Sequence, residues 1–153
     1  MIIVNEREVN KVKKVYLASP CFNKKERSAV ELVVDFLRNS KGLEVYVPME
    51  HTVENAWDLP NNVWAKAVFE EDIKAIDECD TVVLLNWGMY SDSGTAWECG
   101  YAYAKGKKVI NLLMPATNKD YSLMMINGSE KAIPWFSFVT DEQWNNLNAI
   151  NQK

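Results

Sequence analysis

The feature of this sequence that most limits its fold is the regular alternation of short apolar segments with longer segments of helical periodicity. Strands that alternate with helices form a parallel sheet with right-handed crossovers. The predicted strands are residues 14–18, 43–47, 80–86, 108–114 and 135–139. The predicted helices are residues 25–39, 62–78 and 94–105, with a short last helix capped by Thr140. This order predicts an α/β protein, a flavodoxin-like three-layer αβα sandwich with a five-stranded parallel sheet.

The composition indicates one globular domain that spans residues 1–153. Of these residues, 48% are hydrophobic and 25% are charged, which is ordinary for a folded domain. The net charge is −4 and no basic block is present, so we expect no binding to nucleic acid or to a membrane surface. No apolar run approaches the ~20 residues of a membrane span. Three cysteines without a CxxC pair predict a reduced, cytoplasmic protein.

The side chains available for chemistry are mainly carboxylates. His51 is the single histidine, and the Cys/His spacing of a zinc site is absent, so we expect no metal. Neither GxGxxG nor GxxxxGK(S/T) occurs, so we expect no nucleotide cofactor. Ligands of flavodoxin-like folds lie beyond the carboxyl ends of the strands. The loops to search are therefore 19–24, 48–61, 86–94 and 114–130.

Asp72 lies on the apolar stripe of the predicted helix 62–78. A carboxylate that is buried there without partners costs several kcal/mol. One interpretation is structural: Asp72 lies at the edge of the stripe and is solvated, or pairs with Lys66 or Lys74. The other is functional: Asp72 is an acid or base that points into a cleft.

Glu98 is the single charged residue between Gly94 and Ala104, in a segment that is otherwise apolar or small. A helix that is apolar on all faces is predicted to be buried, so Glu98 is expected to be buried or to face a pocket. It lies about one turn from the start of the helix, where the helix dipole favours an ionised carboxylate, whereas burial raises its pKa. One interpretation is a glutamate paired with a lysine or a backbone group. The other is a carboxylate nucleophile.

The residues around the start of this helix have a structural interpretation as well. Asp92 and Ser93 are preferred N-cap residues. The small residues Gly94, Thr95 and Ala96 let a ligand approach the backbone closely.

The aromatic residues near the predicted cleft are ambiguous. Tyr16 is expected to be a core aromatic with a satisfied hydroxyl, and His51 is expected to lie on a loop. Four tryptophans lie in or next to the cleft segments, and one or two of them are candidates to stack on a flat ligand: Trp57, Trp64, Trp87 and Trp97.

Five segments carry a combined motif that runs in order along the chain. They are VYLASPCFN (15–23), YVP (46–48), VWAKAVFEEDIKAIDECD (63–80), DSGTAWECGYAYAKGK (92–107) and, more weakly, SLMM (122–125). Together they resemble the nucleoside 2-deoxyribosyltransferase family. The resemblance implies an αβα sandwich with a five-stranded parallel sheet. It also implies an enzyme that cleaves the N-glycosidic bond of 2′-deoxynucleosides and passes the deoxyribosyl group to another free nucleobase.

The resemblance implies a role for individual residues. It makes Glu98 the nucleophile at the anomeric carbon and Asp72 the acid/base that protonates the departing base and deprotonates the incoming one. It makes Asp92 a ligand of a sugar hydroxyl, and Tyr16 the residue that orients Glu98 through its hydroxyl. The further substrate-binding residues predicted are Phe22, Met49, Gly94, Ser122 and Met124.

Two positions depart from the family pattern. Residues 49–52 stand where the family often has a short Asn-Gln segment that reads the base, and Ser122 stands where it commonly has an asparagine. That second segment reaches a neighbouring subunit's site, so the resemblance also implies a homo-oligomer, a dimer or a hexamer, with sites completed across the interface.

Two alternatives remain open from the sequence. A deoxynucleoside 5′-monophosphate N-glycosidase would share the glutamate and the fold, use water as acceptor and need a phosphate cradle in the first βα loop. Here that loop, residues 19–23, is followed by Lys24, Lys25 and Arg27. The second alternative is a non-catalytic nucleotide-sensing module. A signalling receiver is disfavoured, because residues 18–20 lack the clustered acids that it requires at the end of the first strand.

Overall fold

The computed structural model describes residues 14–89, 92–115 and 120–138. Its centre is a parallel sheet of five strands: β1 (Lys14–Ala18), β2 (Glu44–Tyr46), β3 (Thr81–Asn86), β4 (Lys108–Leu113) and β5 (Lys131–Pro134). The strand order is β2-β1-β3-β4-β5, and every neighbouring pair is parallel. The predicted flavodoxin-like fold class is confirmed.

Helices cover both faces of the sheet. They are α1 (Lys24–Asp35), α2 (Asn61–Glu78), α3 (Ser93–Ala104), α4 (Leu123–Asn127) and α5 (Trp135–Phe138). A π-helical turn, Phe36–Ser40, extends α1, and the long loop from β2 to α2 contains two short 3₁₀ turns, Pro48–Glu50 and Ala56–Asp58. One core cluster includes Val30 and Val33 of α1, and the second, on the other face, includes Ile76 of α2 and Cys99 of α3.

The central strand β3 follows from its sequence. All six of its residues are buried, as expected for a continuous apolar run between two helical layers. Burial of each Val or Leu side chain there contributes roughly 1.5–3 kcal/mol. β3 lies between β1 and β4, so its carboxyl end opens at the centre of the sheet edge.

The predicted fifth strand, residues 135–139, is wrong. The strand is Lys131–Pro134, and the aromatic segment after it forms the short helix α5. β5 is an edge strand of which only Ile133 is fully buried, so it lacks the apolar run that marks a central strand. Phe138 is buried instead as a helical residue that packs edge-on against Phe36, with 5.6 Å between ring centroids. The predicted last helix capped by Thr140 lies outside the described residues.

The prediction that α3 is buried on all sides is also wrong for the single chain. α3 buries only Thr95, Cys99 and Ala102, whereas Trp97 is 49% and Tyr103 is 65% exposed. One side of the helix contacts the sheet. Trp97 packs edge-on against Phe69 of α2, with 5.4 Å between ring centroids, whereas Tyr103 lies on a side that the described residues leave largely open.

The strand order places a topological switch between β1 and β3. The chain leaves β1 towards β2 on one side and leaves β3 towards β4 on the other, so the two following loops diverge and open a crevice. Phe22 follows β1 and Asp92 precedes α3, so both lie at this edge. No helix within the described ranges is long and apolar enough to cross a membrane.

Candidate active site

Two adjoining cavities open at the switch point. The first, of about 480 Å³, is lined by Asp72, Gly94 and Glu98 among others, and we call it the Glu98 cavity. The second, of about 770 Å³, is lined by the loop after β1 and by residues of the β2–α2 loop, and we call it the loop cavity. Asp72 lines both, so the two cavities meet at its carboxylate.

Glu98 lies in the middle of α3, and its carboxylate is largely buried from solvent. The pKa of its carboxyl is raised to about 7, mainly by burial and to a lesser extent by the nearby carboxylates of Asp72 and Asp92. The Tyr16 hydroxyl acts in the opposite direction and lowers the pKa. The structural interpretation, in which Glu98 pairs with a lysine or a backbone group, finds no such hydrogen bond or ion pair among the described residues. Such a carboxylate lies near the midpoint of its titration at neutral pH.

Tyr16, on β1, is fully buried beside Glu98. Its pKa is raised strongly, first by burial and then by the Glu98 and Asp72 charges. Tyr16 Oη and Glu98 Oε2 are both buried without a partner of good hydrogen-bond geometry among the described residues. An unsatisfied buried polar group costs about 1–3 kcal/mol, so this pair is a cost to folding. The expectation of a satisfied core hydroxyl is wrong.

Asp72, on α2, is half-buried, and burial raises its pKa. The Tyr46 hydroxyl donates a long hydrogen bond to Asp72 Oδ1, at 3.4 Å, and lowers the pKa. The lysines considered as partners are engaged elsewhere: Lys66 pairs with Glu70 at 3.6 Å and Lys74 with Glu78 at 3.9 Å.

Asp72 lies beside three stacked rings, one of which, Tyr46, is its hydrogen-bond partner. Tyr46 lies between Tyr16 and His51, with centroid distances of 5.5 Å and 4.1 Å and nearly parallel planes. His51 Nδ1 lies 3.9 Å from Glu71 Oε1, and the His51 charge lowers the pKa of Asp72. The sequence located His51 on a loop but gave no sign of this stack, because the three residues are brought together by β1, β2 and the turn after β2.

Asp92 caps α3 through one oxygen. Its Oδ2 accepts a hydrogen bond from the Thr95 backbone N–H, at 2.8 Å, and another from Thr95 Oγ1, at 3.1 Å. The same residue lines the loop cavity, so the predicted cap and the predicted place beside a ligand are compatible. A Cβ atom on Gly94 would lie 2.9 Å from Asp92 Oδ2. Glycine at this position therefore leaves room for the capping carboxylate.

The remaining predicted substrate-binding residues divide into two groups. Phe22 and Met49 line the loop cavity, where Phe22 is 77% exposed. Ser122 and Met124 do not line it: they border a separate cavity of about 390 Å³ beside α3. Within one chain their predicted contact with substrate is not formed, because α4 lies on the far side of α3.

Three of the four tryptophans reach the cavities. Trp97 lines the Glu98 cavity, and Trp57 and Trp64 line the loop cavity. Trp57 is fully exposed, so the mouth of the loop cavity presents an open aromatic surface.

The charge of the two cavities is negative. Their described linings contain four carboxylates, of Glu54, Asp72, Asp92 and Glu98, and neither lysine nor arginine. Among the described residues, no cluster of three or more His, Cys, Asp or Glu side chains is arranged to hold a metal ion.

Comparison with known proteins gives relatives over most of the chain. A protein of Thermofilum pendens is 30% identical over 125 residues, covering 82% of this chain and 81% of its own length; its name gives it provisionally as a 2′-deoxynucleoside 5′-phosphate N-hydrolase. The solved structure of a 2-deoxyribosyltransferase from Bacillus psychrosaccharolyticus is 29% identical, with a TM-score of 0.70, and the match covers 88% of this chain and 90% of that one.

A CMP N-glycosidase structure from Clostridium botulinum is 25% identical, with a TM-score of 0.58, and the match covers 89% of this chain and 99% of that one. The family described as nucleoside 2-deoxyribosyltransferase matches residues 15–141 by its sequence model. The match includes both carboxylate-bearing helices, α2 and α3. This chain belongs to the nucleoside 2-deoxyribosyltransferase family.

Proposed function

We propose that this protein cleaves the N-glycosidic bond of neutral 2′-deoxynucleosides and transfers the deoxyribosyl group to another nucleobase. The observation that carries the proposal is the pair of carboxylates, Glu98 on α3 and Asp72 on α2, in one cavity whose described lining contains neither lysine nor arginine. Family membership and the likeness to a 2-deoxyribosyltransferase structure support the same chemistry.

In the first step Glu98 acts as nucleophile. A carboxylate oxygen attacks C1′ of the deoxyribose, and the C1′–N bond breaks as its electron pair moves to the base. Asp72 supplies the proton that the departing base takes up. The Tyr16 hydroxyl, buried beside Glu98, donates to the Glu98 carboxylate and orients it for the attack.

In the second step a new base replaces the first. Its ring nitrogen attacks C1′, the ester bond to Glu98 breaks, and Asp72 takes the proton that the incoming base releases. Two displacements at one carbon give net retention, as in retaining glycosidases. The ester must survive until a base arrives, and the apolar wall of Phe69, Ile73, Ile76 and Trp97 supports the exclusion of water.

The negative lining favours a neutral substrate. A 5′-phosphate would enter cavities whose described walls carry four carboxylates and neither lysine nor arginine, with His51 as the one side chain that can become positively charged. Asp92, in contrast, suits a sugar hydroxyl, because a carboxylate is a strong acceptor for an O–H donor. Phe22, Met49 and the exposed Trp57 offer apolar surface to a base.

The second candidate function is hydrolysis of 2′-deoxynucleoside 5′-phosphates. The relative from Thermofilum pendens favours it, and so does Arg27, whose Nη1 donates to the Cys21 carbonyl oxygen at 3.1 Å beside the loop cavity. In this reaction water would replace the second base.

We also propose that the protein is a cytoplasmic homo-oligomer. Tyr103, Leu123 and Met124 are 65%, 74% and 84% exposed on the free side of α3 and α4. An apolar surface of this kind is typical of a protein interface. A neighbouring copy that docks here gives Ser122 and Met124 the route to a substrate site that they lack in one chain. All three cysteines are unpaired, which fits a reducing compartment.

The test is a transfer assay. The protein is incubated with deoxyinosine, with and without adenine, and the products are separated by chromatography. We expect deoxyadenosine to form faster than free deoxyribose at saturating adenine. Hydrolysis equal to or faster than transfer would contradict the transferase proposal, and comparable rates with adenosine would contradict the preference for deoxyribose.

A further inference from the structure

The Glu26 carboxylate, in the first turn of α1, binds back to the loop after β1. Glu26 Oε2 accepts a hydrogen bond from the Phe22 backbone N–H at 2.7 Å. Asn23 Oδ1 accepts one from the Glu26 N–H at 2.9 Å. This pair is a variant of the capping box, in which the N-terminal donors of a helix are satisfied by its own side chains.

This start of α1 borders the candidate active site. Cys21 and Phe22 line the loop cavity, and Cys21 lies within electrostatic reach of Glu26, Asp92 and Glu98 together. Arg27 opposes these three carboxylates at the same thiol, yet the pKa of Cys21 is raised, first by burial and then by Glu26. Glu26 therefore adds its negative charge to those of Asp92 and Glu98 at the Cys21 thiol, next to the loop cavity that Cys21 and Phe22 line.

The position that Glu26 occupies is one that suits an anion. In an open α/β sheet, the first βα loop and the following helix N-terminus present backbone N–H groups and a partial positive charge to a ligand's phosphate. Here the Phe22 and Glu26 N–H groups are already bonded to oxygen acceptors. A phosphate dianion at this place would have to displace a carboxylate and overcome its charge.

We infer that Glu26 is a specificity-determining residue that excludes 5′-phosphorylated substrates by filling the anion position at the start of α1. This inference rests on the proposed function and extends it, because it gives a residue-level cause for the choice of nucleosides over nucleotides. Arg27, the neighbouring cation, is held by the Cys21 carbonyl oxygen at 3.1 Å.

The test compares substrates in two variants. Glu26→Gln removes the charge and keeps an acceptor for the Phe22 N–H, whereas Glu26→Ala removes both. Glu31→Gln, an exposed glutamate of the same helix, is the matched control. The quantity measured is the ratio of kcat/KM for deoxyadenosine 5′-monophosphate to kcat/KM for deoxyadenosine. We expect the ratio to rise about tenfold in Glu26→Gln and further in Glu26→Ala, with no change in Glu31→Gln.

A second readout does not depend on catalysis. Thermal unfolding is followed with inorganic phosphate and with chloride at equal ionic strength. Phosphate should raise Tm in both Glu26 variants but not in the wild type or in Glu31→Gln. The inference is overturned if the ratio and the phosphate effect are the same in wild type and variants, or if the wild type prefers the monophosphate. A wild type that cleaves neither substrate contradicts the proposed function, whereas the phosphate readout still tests Glu26.

Discussion

At the scale of single residues, the candidate site is built from buried polar side chains that lower the free energy of unfolding. Glu98 and Tyr16 are buried with unsatisfied oxygens, and Asp72 is half-buried with a raised pKa. The sequence identified Glu98 and Asp72 because a charge on an apolar stripe is conspicuous. It did not identify Tyr46 or His51 as partners of Asp72, because Asp72 lies on α2 and meets β2 and its following turn only through the tertiary packing of α2.

The raised pKa of the buried Glu98 carboxyl is expected to make the free energy of unfolding depend on pH. Its pKa is about 7 in the folded protein and about 4.5 in the unfolded chain, so the folded state binds more protons between these values. The free energy of unfolding therefore falls as pH rises from about 4.5 to about 7. Glu98→Gln removes this loss and should be about 1–3 kcal/mol more stable than wild type at pH 8, with little difference at pH 4.

Urea denaturation at the two pH values measures this difference. Glu70→Gln, on the exposed side of α2, is the control and should show no such pH-dependent gain. A Glu98→Gln protein that is less stable than wild type at pH 8 would mean that the carboxylate supports the fold.

Asp72 is expected to act as a general acid, by giving its proton to the departing base. Asp72→Asn keeps the shape of the side chain and removes the acid, so transfer between natural bases should slow by about 10²–10⁴-fold. A deoxyriboside whose leaving group needs no proton should lose much less in the same variant. Steady-state kinetics with both substrates makes the comparison, and an equal loss for both would assign Asp72 a structural role.

At the scale of elements, the bounds of the central strands and of the helices α2 and α3 could be predicted almost to the residue. β3 was predicted as 80–86 and is Thr81–Asn86; α2 was predicted as 62–78 and is Asn61–Glu78. β3 is a continuous buried apolar run, whereas α2, in which only Ala75 and Ile76 are buried, is recognisable from the helical spacing of its apolar residues after Pro60. β5 was misplaced because an edge strand is only partly buried, and the five-residue helix α4 is too short to show a helical period.

Gly94, at the start of α3, is expected to affect substrate binding through the capping residue Asp92. A methyl group there would lie against Asp92 Oδ2 and displace the cap of the helix that holds Glu98. Gly94→Ala should raise KM for the nucleoside, while the free energy of unfolding changes by less than about 1 kcal/mol, because the better helix propensity of alanine offsets a weakened cap.

A double-mutant cycle tests whether the effect passes through Asp92. Interacting neighbours give non-additive changes. In an Asp92→Ala background, Gly94→Ala should have little further effect on KM. Additive effects would show that Gly94 acts on the ligand or the backbone independently of the cap.

At the scale of the whole molecule, the uncovered apolar side of α3 and α4 predicts self-association. Its members Tyr103 and Met124 lie away from the sheet and from both active-site cavities. Tyr103→Glu and Met124→Glu should each shift the protein towards monomer in light scattering coupled to size-exclusion chromatography, because a buried unpaired charge destabilises the interface.

Leu32→Glu is the matched control for this prediction. Leu32 is 46% exposed on α1, in the opposite helical layer, so its change should leave the oligomer intact. A wild type that is monomeric at micromolar concentration would contradict the proposed interface. In that case Ser122 and Met124 would have no route to the substrate.

Mass spectrometry of a trapped intermediate tests whether Glu98 forms a covalent bond to the sugar. A 2-fluoro-2-deoxyarabinonucleoside withdraws electrons from C1′ and slows both displacements, so the ester is expected to accumulate. After proteolysis, the added sugar is expected on the peptide that contains Glu98, and no adduct is expected in Glu98→Ala. A sugar attached to another residue, or normal turnover by Glu98→Ala, would contradict a nucleophilic role for Glu98.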